Sequence, residues 1–548
     1  MRHSFRVLLG LGLALSAAGC SDYLSGPGVS STQDPNNILK LTQPGPLYIG
    51  VQQAGPPQRE GDVARVAVSY VQQIAGAARQ AIGFDLYQSA PSDLDTYFEA
   101  VYGSSNLLTG GGGLLDVKKM EQLARKKSDS IYVGIAKIYQ ALIIGYAADI
   151  WGDIPYRQAA DSTIPKPAFD PQLQIYGDLQ QQLDSAINFF LKADVTGITN
   201  LGPATDGSEL IYKGRTSTQL EAVYTAVAHS LKARYFLHVQ DYANALAQAN
   251  LGISTPADDF LWFHDASAAG QNVWWQYNAT RGDYLAGAAL IDLMKGRITA
   301  GVEDSSRLKF YFIPADPVPK NPAVYFGARP AASTVTTAPG GDNGTGSAKG
   351  NYSFFNTFID GSTPPGDFRQ PELTFAETQL IAAEATWRLN GGGADPTVLI
   401  AAAQPFLDAA RKNRQYGATG GAPVTFPDLP NAAAPTVLTA TLQHIIEEKY
   451  ITLFLNPEVW NDYKRTCLPS LAPSAALGSS TPGTASPGSI PGRLPYGLSE
   501  INANPNTPGG QGPATNSAGI HVTSTSQNPN APTPCPALNY VNSVPLAN

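Results

Sequence analysis

The sequence predicts a mostly α-helical protein whose helices pack in pairs around a large apolar core. Apolar residues recur every three or four positions at Ile131, Ile135, Ile138, Leu142 and Tyr146. This spacing indicates one helix of about 20 residues that ends before Gly152. Similar apolar stripes predict further helices, over 63–81, 171–192, 217–250, 371–389, 397–414 and 437–455. Short strands are expected only at 48–52 and 308–313, because no other segment alternates apolar and polar residues over a useful length.

The pairing of helices is predicted from Ala-rich segments that follow one another closely, such as 217–238 and 240–250. They favour helix-turn-helix stacking of the tetratricopeptide kind, although a strict repeat of about 34 residues is not visible. Because no clean linker divides the helices, we expect one large body over 46–548. Within it we expect an irregular, ligand-facing insert at about 300–368 and a loop-rich C-terminal region from 466.

The N-terminus has the layout of an export signal. Arg2 and Arg6 precede a short apolar stretch, and small residues lead up to Cys20, which predicts a signal peptide over 1–19. The stretch is too short for a spanning helix, which needs roughly 20 residues. Cys20 after Ala17-Ala18-Gly19 resembles the lipobox of bacterial lipoproteins, although Ala17 stands where Leu is usual. We expect an acyl anchor such as palmitate on Cys20 and an extended tether over 20–45; an ordinary secretory signal is the alternative.

Composition excludes several classes of partner. The formal net charge is −8, which fits poorly to nucleic acid or anionic lipid headgroups. Charged residues make up 15% of the chain, against a usual share of about 25%, while Gly (53) and Pro (43) are abundant. The sequence therefore predicts many irregular loops, and the lipid is the one membrane attachment it supports.

Two cysteines remain when Cys20 is used for lipid. Cys467 and Cys535 bracket a region rich in Pro, Gly, Ser and Asn. Because exported proteins can form disulfides, we expect these two to pair. Metal binding is the alternative, but no Cys-x-x-Cys or Cys/His cluster accompanies either residue.

The sequence lacks the common catalytic motifs. The sequence has no His-Glu-x-x-His, Gly-x-Ser-x-Gly, P-loop or Cys-x-x-Cys. His229 and His238 lie nine residues apart on one helix and do not share a face, which argues against a metal site. Glu447 and Glu448 are adjacent and point about 100° apart, so they cannot flank a scissile bond. We interpret them as a helix surface beside Lys449, and the sequence predicts no enzyme and no cofactor.

Aromatic residues are the best clue to a binding site. Trp262, Trp274, Trp275 and Tyr277 lie in a stretch broken by Gly, Asn, Ser and Asp, where no helical stripe accounts for them. Two adjacent tryptophans cannot both face one core if the chain is extended. We therefore expect these residues, helped by Tyr102, to form an aromatic platform for ligand. The alternative is that they pack the insert against the helices. A second aromatic group has the same ambiguity: Tyr87, Tyr97 and Tyr102.

Five motifs resemble those of the SusD/RagB-type outer-membrane lipoproteins. In chain order they are Ile150-Trp-Gly-Asp-Ile-Pro-Tyr156, Glu209-Leu-Ile-Tyr-Lys-Gly214 leading to Ser230-Leu-Lys-Ala-Arg234, the strand and helix from Arg369 to Leu389 with Leu-Ile-Ala-Ala-Glu-Ala, Ile445-Ile-Glu-Glu-Lys-Tyr450 through Trp460-Asn-Asp-Tyr463, and Arg493-Leu-Pro-Tyr496 with Glu500. Two positions depart from the family pattern: Gly497 stands where Pro is frequent, and Asn456-Pro457-Glu458 replaces the usual Glu-Gly.

The resemblance implies a helical scaffold of tetratricopeptide-like pairs with a loop-rich face for ligand. It also implies a role at the cell surface, where the protein caps a SusC-type TonB-dependent transporter and delivers oligosaccharides or peptides to it. The motifs themselves are implied to be structural. A scaffold lipoprotein that binds no nutrient is the alternative function, and a surface glycosidase is a weaker one. Exposed, coplanar aromatics would favour the binder, uniformly buried ones the scaffold, and a carboxylate pair converging across a cleft the enzyme.

Overall fold

The computed structural model describes residues 42–508 except 88, 104–111, 193–201, 268–269, 304, 316–323, 331–351, 361–364, 391–394, 414, 427–437 and 472–489. The helices are α1 (Pro44–Pro56), α2 (Val63–Tyr70), α3 (Arg79–Asp85), α4 (Asp95–Tyr102), α5 (Leu114–Lys126), α6 (Ser130–Trp151), α7 (Gln172–Lys192), α8 (Gly202–Asp206), α9 (Ser217–His238), α10 (Tyr242–Ala249), α11 (Val273–Thr280), α12 (Ala288–Thr299), α13 (Ser306–Tyr311), α14 (Thr357–Asp360), α15 (Phe375–Asn390), α16 (Pro396–Lys412), α17 (Leu442–Thr452), α18 (Glu458–Thr466) and α19 (Leu498–Ala503). A kinked segment, Pro57–Asp62, in which Gly61 departs from helical geometry, joins α1 to α2.

The strands are short and pair as two-stranded antiparallel ribbons. They are β1 (Ile74–Gly76), β2 (Phe260–Leu261), β3 (Tyr284–Ala286), β4 (Phe312–Ile313), β5 (Phe354–Phe355), β6 (Pro371–Leu373), β7 (Gln415–Thr419) and β8 (Ala422–Thr425). The pairs are β1 with β3, β2 with β6, β4 with β5, and β7 with β8. The predicted mostly helical fold is therefore confirmed.

Consecutive helices pack side by side as the sequence predicts. Helix α6 packs on α5 and α7, α9 packs on α10, and α15 packs on α16. The pairs join into one scaffold because α9 also contacts α7 and α15, and α10 contacts α15. Helix α6 is long and apolar enough to cross a membrane by composition alone, but every residue of it is buried in the fold. It is the central core helix.

Two of the sequence-based elements are wrong in detail. Residues 48–52, expected as a strand, lie inside α1, where Tyr48 and Val51 pack into the core. The helix expected over 63–81 is interrupted, because the chain leaves α2 after Tyr70 and forms β1 before α3 begins. Gln72, at the break, has a left-handed φ of 59°. The expected strand at 308–313 is half correct: α13 occupies its first part, and β4 follows.

The described C-terminal segment returns to the core. The Leu494 amide donates to the Ile150 carbonyl at 2.8 Å, and the Trp151 indole donates to the Pro495 carbonyl at 3.0 Å. The Tyr496 hydroxyl donates to the Asp153 carbonyl at 2.8 Å. The region expected to be loop-rich from 466 thus contains a packed segment that closes over the end of α6.

The Glu447-Glu448 pair is not a helix surface, so that interpretation was wrong. Both residues are buried on α17, and the Glu448 carboxylate lies among three guanidinium groups, those of Arg297, Arg307 and Arg411. Burial alone would raise the pKa of Glu448, but the three arginines hold that pKa well below its usual range. The acidic pair is a structural charge centre that joins α12, α13, α16 and α17.

Cys467 follows α18 and is disulfide-bonded. Cys535, its expected partner, lies outside the described residues, as do the signal peptide, Cys20 and most of the tether. The Cys467–Cys535 pairing stays a prediction.

Candidate functional site

The structure removes two residues from the expected aromatic platform. Trp262 is 2% exposed, and its indole nitrogen donates to Glu372 Oε2 at 2.9 Å. Trp274 is 0% exposed and packs against Tyr284 and Phe355. Pairing of β2 with β6 brings Glu372 to Trp262, which is a long-range contact that loop composition does not reveal. Both tryptophans are core residues, and neither offers a face for stacking.

Trp275 is partly buried and lies on a different side of α11. Asn272 caps this helix, accepting from the amides of Trp274 and Trp275 at 2.9 and 3.0 Å. The Asn272 amide donates to the Gly366 carbonyl at 2.8 Å, which holds the loop against the helix. A Cβ on Gly366 would come within 2.7 Å of the Trp275 ring, so the Gly366 backbone covers part of that ring. Trp275 and Tyr277 lie about 200° apart around α11 and do not form one surface.

Tyr102 joins α4 to the turn after α6. Its hydroxyl donates to the Pro155 carbonyl at 2.9 Å, and its ring packs on Phe98 with centroids 5.5 Å apart. These contacts are structural.

Tyr277 belongs to a partly exposed group of charged and tyrosine side chains that four separate segments bring together. We call this group the Arg65 cluster. Its members come from the start of α2, the start of α3, α4, and α11 with the turn that follows it: Asp62, Arg65, Arg79, Tyr97, Tyr277, Arg281 and Asp283. The β1–β3 pairing fixes the cluster, because it places α3 next to the turn that carries Arg281 and Asp283.

Contacts within the Arg65 cluster centre on the Tyr277 ring. The Arg65 guanidinium carbon lies 4.3 Å from the ring centroid and that of Arg281 lies 5.2 Å from it. Arg65 is buried and Arg281 is exposed, so the two approach Tyr277 from the core side and the solvent side. The Tyr277 hydroxyl donates to Asp283 Oδ2 at 2.8 Å. Tyr277 is therefore a support for two arginines rather than a free stacking face.

The remaining charges of the cluster are paired. Arg79 Nη1 lies 3.2 Å from Asp283 Oδ2, and Arg65 pairs with Asp62. Burial raises the pKa of Tyr277 to about 12, and the hydrogen bond to Asp283 adds to the rise. Burial likewise raises the pKa of Tyr97, with a further contribution from the negative charge of Asp62. Both tyrosines are neutral hydrogen-bonding groups at physiological pH, and Tyr97 is partly exposed.

Sequence reasoning had singled out Tyr277 and noted Tyr97, but it missed the arginines. One signal was available: Arg65 is a lone charge within the apolar run Val63-Ala64-Arg65-Val66-Ala67-Val68. Such a residue needs a partner when its helix is buried. Arg79 and Arg281 gave no signal, because the β1–β3 pairing that brings them together is invisible in local patterns.

A group of potential metal ligands lies elsewhere in the described residues: Asp149, His238 and Glu458. His238 Nδ1 is 2.9 Å from Asp149 and Nε2 is 2.7 Å from Glu458, so each ring nitrogen faces its own carboxylate. Burial would lower the pKa of His238, but the two carboxylates outweigh this and raise it to about 9. The arrangement is that of a charged imidazolium between two anions, and we assign no metal to it.

The family model described as "Starch-binding associating with outer membrane" matches residues 51–497. The chain belongs to the SusD-like family. No protein of curated function matches it significantly in sequence.

Solved structures of SusD-like proteins share the fold. A SusD/RagB family protein from Bacteroides thetaiotaomicron is 17% identical with a TM-score of 0.61, covering 90% of this chain and 99% of that one. A chitin-binding protein is 17% identical with a TM-score of 0.60, covering 84% and 94%. A SusD homologue from Bacteroides uniformis gives the same values. At this identity the likeness establishes the fold.

The SusD-like motifs coincide with buried ion pairs. Arg234 of Ser-Leu-Lys-Ala-Arg pairs with Glu377, and Glu384 of Leu-Ile-Ala-Ala-Glu-Ala accepts from Arg465 Nη2 at 2.8 Å. Asp462 of Trp-Asn-Asp-Tyr accepts from Lys449 Nζ at 2.6 Å. These residues lie in the core and hold α9, α15, α17 and α18 together, so their role is structural.

Proposed function

We propose that this chain is a cell-surface lipoprotein that captures glycans at the Arg65 cluster and delivers them to a SusC-type TonB-dependent transporter. In this proposal Cys20 carries the lipid, the protein faces outward from the outer membrane, and the ligand is an oligosaccharide. A peptide ligand is the variant that the family resemblance also allows.

The observation that carries the proposal is the convergence of polar, partly exposed groups from four segments in one place. Tyr97 offers a partly exposed ring and a hydroxyl, and Arg79 and Arg281 offer exposed N–H donors. Rings and fixed polar groups side by side are the usual means of binding a sugar's apolar face and its hydroxyls. Membership of a family described as starch-binding and outer-membrane-associated supports the same role.

Binding without turnover fits the chemistry of the cluster. Its two carboxylates are each engaged by a guanidinium, Asp62 by Arg65 and Asp283 by Arg79. Acid–base cleavage needs a positioned proton donor and an available base facing the bond. A bound oligosaccharide should therefore be recovered intact after incubation with the protein.

Glycan-array screening of residues 21–548, followed by isothermal titration calorimetry, tests the proposal. Tyr97→Ala should weaken binding about 2- to 100-fold, corresponding to roughly 0.5 to 3 kcal/mol for one ring. Tyr242→Ala is the matched control, because Tyr242 is also partly buried but lies on α10, outside the cluster. If no glycan or peptide binds, the scaffold alternative is favoured; equal loss in both variants would place the site elsewhere.

Anchoring has its own test. Cys20→Ser should release the full-length protein from the membrane fraction of cells that lack a transporter partner, because the acyl chain is then the proposed attachment. Retention in the membrane would contradict the lipid anchor while leaving glycan binding untouched.

A further inference from the structure

We infer that the ligand of the Arg65 cluster carries an acidic group, a carboxylate or a sulfate, which Arg79 and Arg281 bind. The inference rests on the proposed function and narrows it to a class of ligand, the anionic oligosaccharides.

The most exposed charges of the cluster are positive. The Arg79 side chain is 62% exposed, whereas its partner Asp283 is 3% exposed. Arg281 is exposed; no described residue forms an ion pair with it, and its charge interacts with that of Asp62. Asp62, whose side chain is 34% exposed, pairs with Arg65, which is 11% exposed. The cluster thus buries one of its two anions, Asp283, and exposes two of its three cations, Arg79 and Arg281.

Other acids in the neighbourhood are already engaged by backbone donors. Asp85 is buried and accepts from the Gly76 amide at 2.6 Å. Asp93 accepts from the Ala90 amide at 2.9 Å. Among the described residues Asp283 is the acid that pairs with Arg79, and none pairs with Arg281, so most of the N–H donors on these two guanidinium groups have no partner in the described part of the chain.

Both arginines are held in place before any ligand arrives. The Arg281 guanidinium lies on the Tyr277 ring, and the Tyr277 hydroxyl is fixed by Asp283. Asp283 also fixes Arg79, whose backbone has a left-handed φ of 51°. A non-glycine residue in this conformation is strained, and such strain tends to occur at functional sites. One buried carboxylate and one ring therefore position two exposed cations together.

Overall charge does not explain this arrangement. The chain has a formal charge of −8, which repels anionic ligands at long range. A guanidinium makes bidentate, charge-assisted hydrogen bonds to a carboxylate or sulfate, and a prepositioned pair recovers affinity that the general field opposes. Uronic-acid and sulfated glycans share this chemistry, and a neutral glycan does not.

Calorimetry of residues 21–548 against four probes tests the inference: maltopentaose and chitopentaose as neutral ligands, pentagalacturonate as carboxylate, and a chondroitin sulfate tetrasaccharide as sulfate. We expect one of the acidic probes to bind at least 10-fold more tightly than either neutral one, and its affinity to fall as NaCl is raised from 50 to 500 mM. Whichever acidic probe binds identifies the source of the anion.

Two variants make the test specific. Arg281→Gln and Arg79→Asn should each weaken acidic binding about 5- to 20-fold. The melting temperature should not change in Arg281→Gln and should fall in Arg79→Asn, which takes the cation away from the buried Asp283; Asn is chosen because it tolerates a left-handed φ. Arg125→Gln is the matched control, since Arg125 is also exposed, paired with an acid and stacked on a ring, that of Phe189. It should bind as the wild type does.

The outcomes separate the two proposals. Neutral probes that bind as tightly as acidic ones, or acidic binding unaffected by both arginine variants, would overturn the acidic-ligand inference and leave a glycan-binding protein. Failure of both acidic probes to bind would overturn the acidic-ligand inference, and the glycan array then decides whether the proposed function survives.

Discussion

Glu448 Oε1 accepts from Arg307 Nη1 at 2.7 Å, and the two side chains are 1% and 8% exposed. Arg297 and Arg411 also contact this carboxylate. A single buried anion thus contacts guanidinium groups from three other helices, and Glu303 and Glu447 supply further negative charge to Arg307 and Arg297. Its removal leaves uncompensated charge in the core, which is far costlier than the loss of a surface pair.

Glu448→Gln should lower the free energy of unfolding by about 3–5 kcal/mol, measured by urea denaturation at pH 7. Glu447→Gln is the control on the same helix turn. The Glu447 carboxylate reaches Arg297 only at 3.5 Å, so its loss should cost less than about 1 kcal/mol. Equal costs for the two variants would show that Glu448 is not the centre of the network.

His238 should make stability depend on pH above neutrality. Its pKa rises from 6.5 to about 9 on folding, so its contribution is complete below pH 6.5 and is lost as pH rises through 9. The contribution is on the order of 3 kcal/mol, from about 1.4 kcal/mol per unit.

The comparison between wild type and His238→Gln isolates this effect. Lys464 titrates in the same window, because burial lowers its pKa to about 8, but it does so in both proteins. The difference in unfolding free energy between the two should shrink between pH 6.5 and 9. A constant difference across that window would mean that His238 is not charged in the fold.

Glycine substitutions on two helices should have opposite effects. The Tyr235 side chain packs against α6 at Gly145. A Cβ on Gly145 would lie 2.0 Å from the Tyr235 hydroxyl oxygen. Gly145→Ala should therefore destabilise the protein by about 1–3 kcal/mol or more. Gly177 on α7 has open space around it, so Gly177→Ala should stabilise by about 0.5–1 kcal/mol, the helical preference of Ala over Gly. Differential scanning calorimetry of both variants checks the sign, and a stabilising Gly145→Ala would contradict the close helix contact.

Alanine substitutions of the two adjacent tryptophans on α11 should lower stability by different amounts. Trp274→Ala opens a cavity in the core and should cost about 3–5 kcal/mol, whereas Trp275→Ala removes a partly exposed ring and should cost less than about 2. Chemical denaturation of the two variants measures the difference. The reverse order would mean that Trp274, not Trp275, faces the surface.

The last prediction concerns the disulfide of Cys467. Alkylation under denaturing, non-reducing conditions should label neither Cys467 nor Cys535, and mass spectrometry should recover a peptide that crosslinks the two. Labelled Cys535 would show that another thiol pairs with Cys467.

The sequence predicted the scaffold well, because helices such as α6 and α9 follow a local apolar period that does not depend on distant residues. The errors lie where distant segments meet. Trp262 looked like a loop aromatic until β2 paired with β6, and residues 63–81 looked like one helix because β1 is too short to show a period. The same limit hid the binding-site candidate: Arg79 and Arg281 are brought together by β1–β3 pairing, and neither lies in a recognisable motif.

The closure of the C-terminal segment over Trp151 sets an order for folding. The Phe98 ring packs edge to face on the rings of Trp151 and Tyr496. Its centroid lies 5.2 Å from that of Trp151 and 5.9 Å from that of Tyr496. Nearly 400 residues of chain separate the first ring from the last, and contacts of such long separation form slowly. The core at this end of α6 therefore stays open until almost the whole described chain has been made, and a chain cut before 490 would leave Trp151 exposed to solvent.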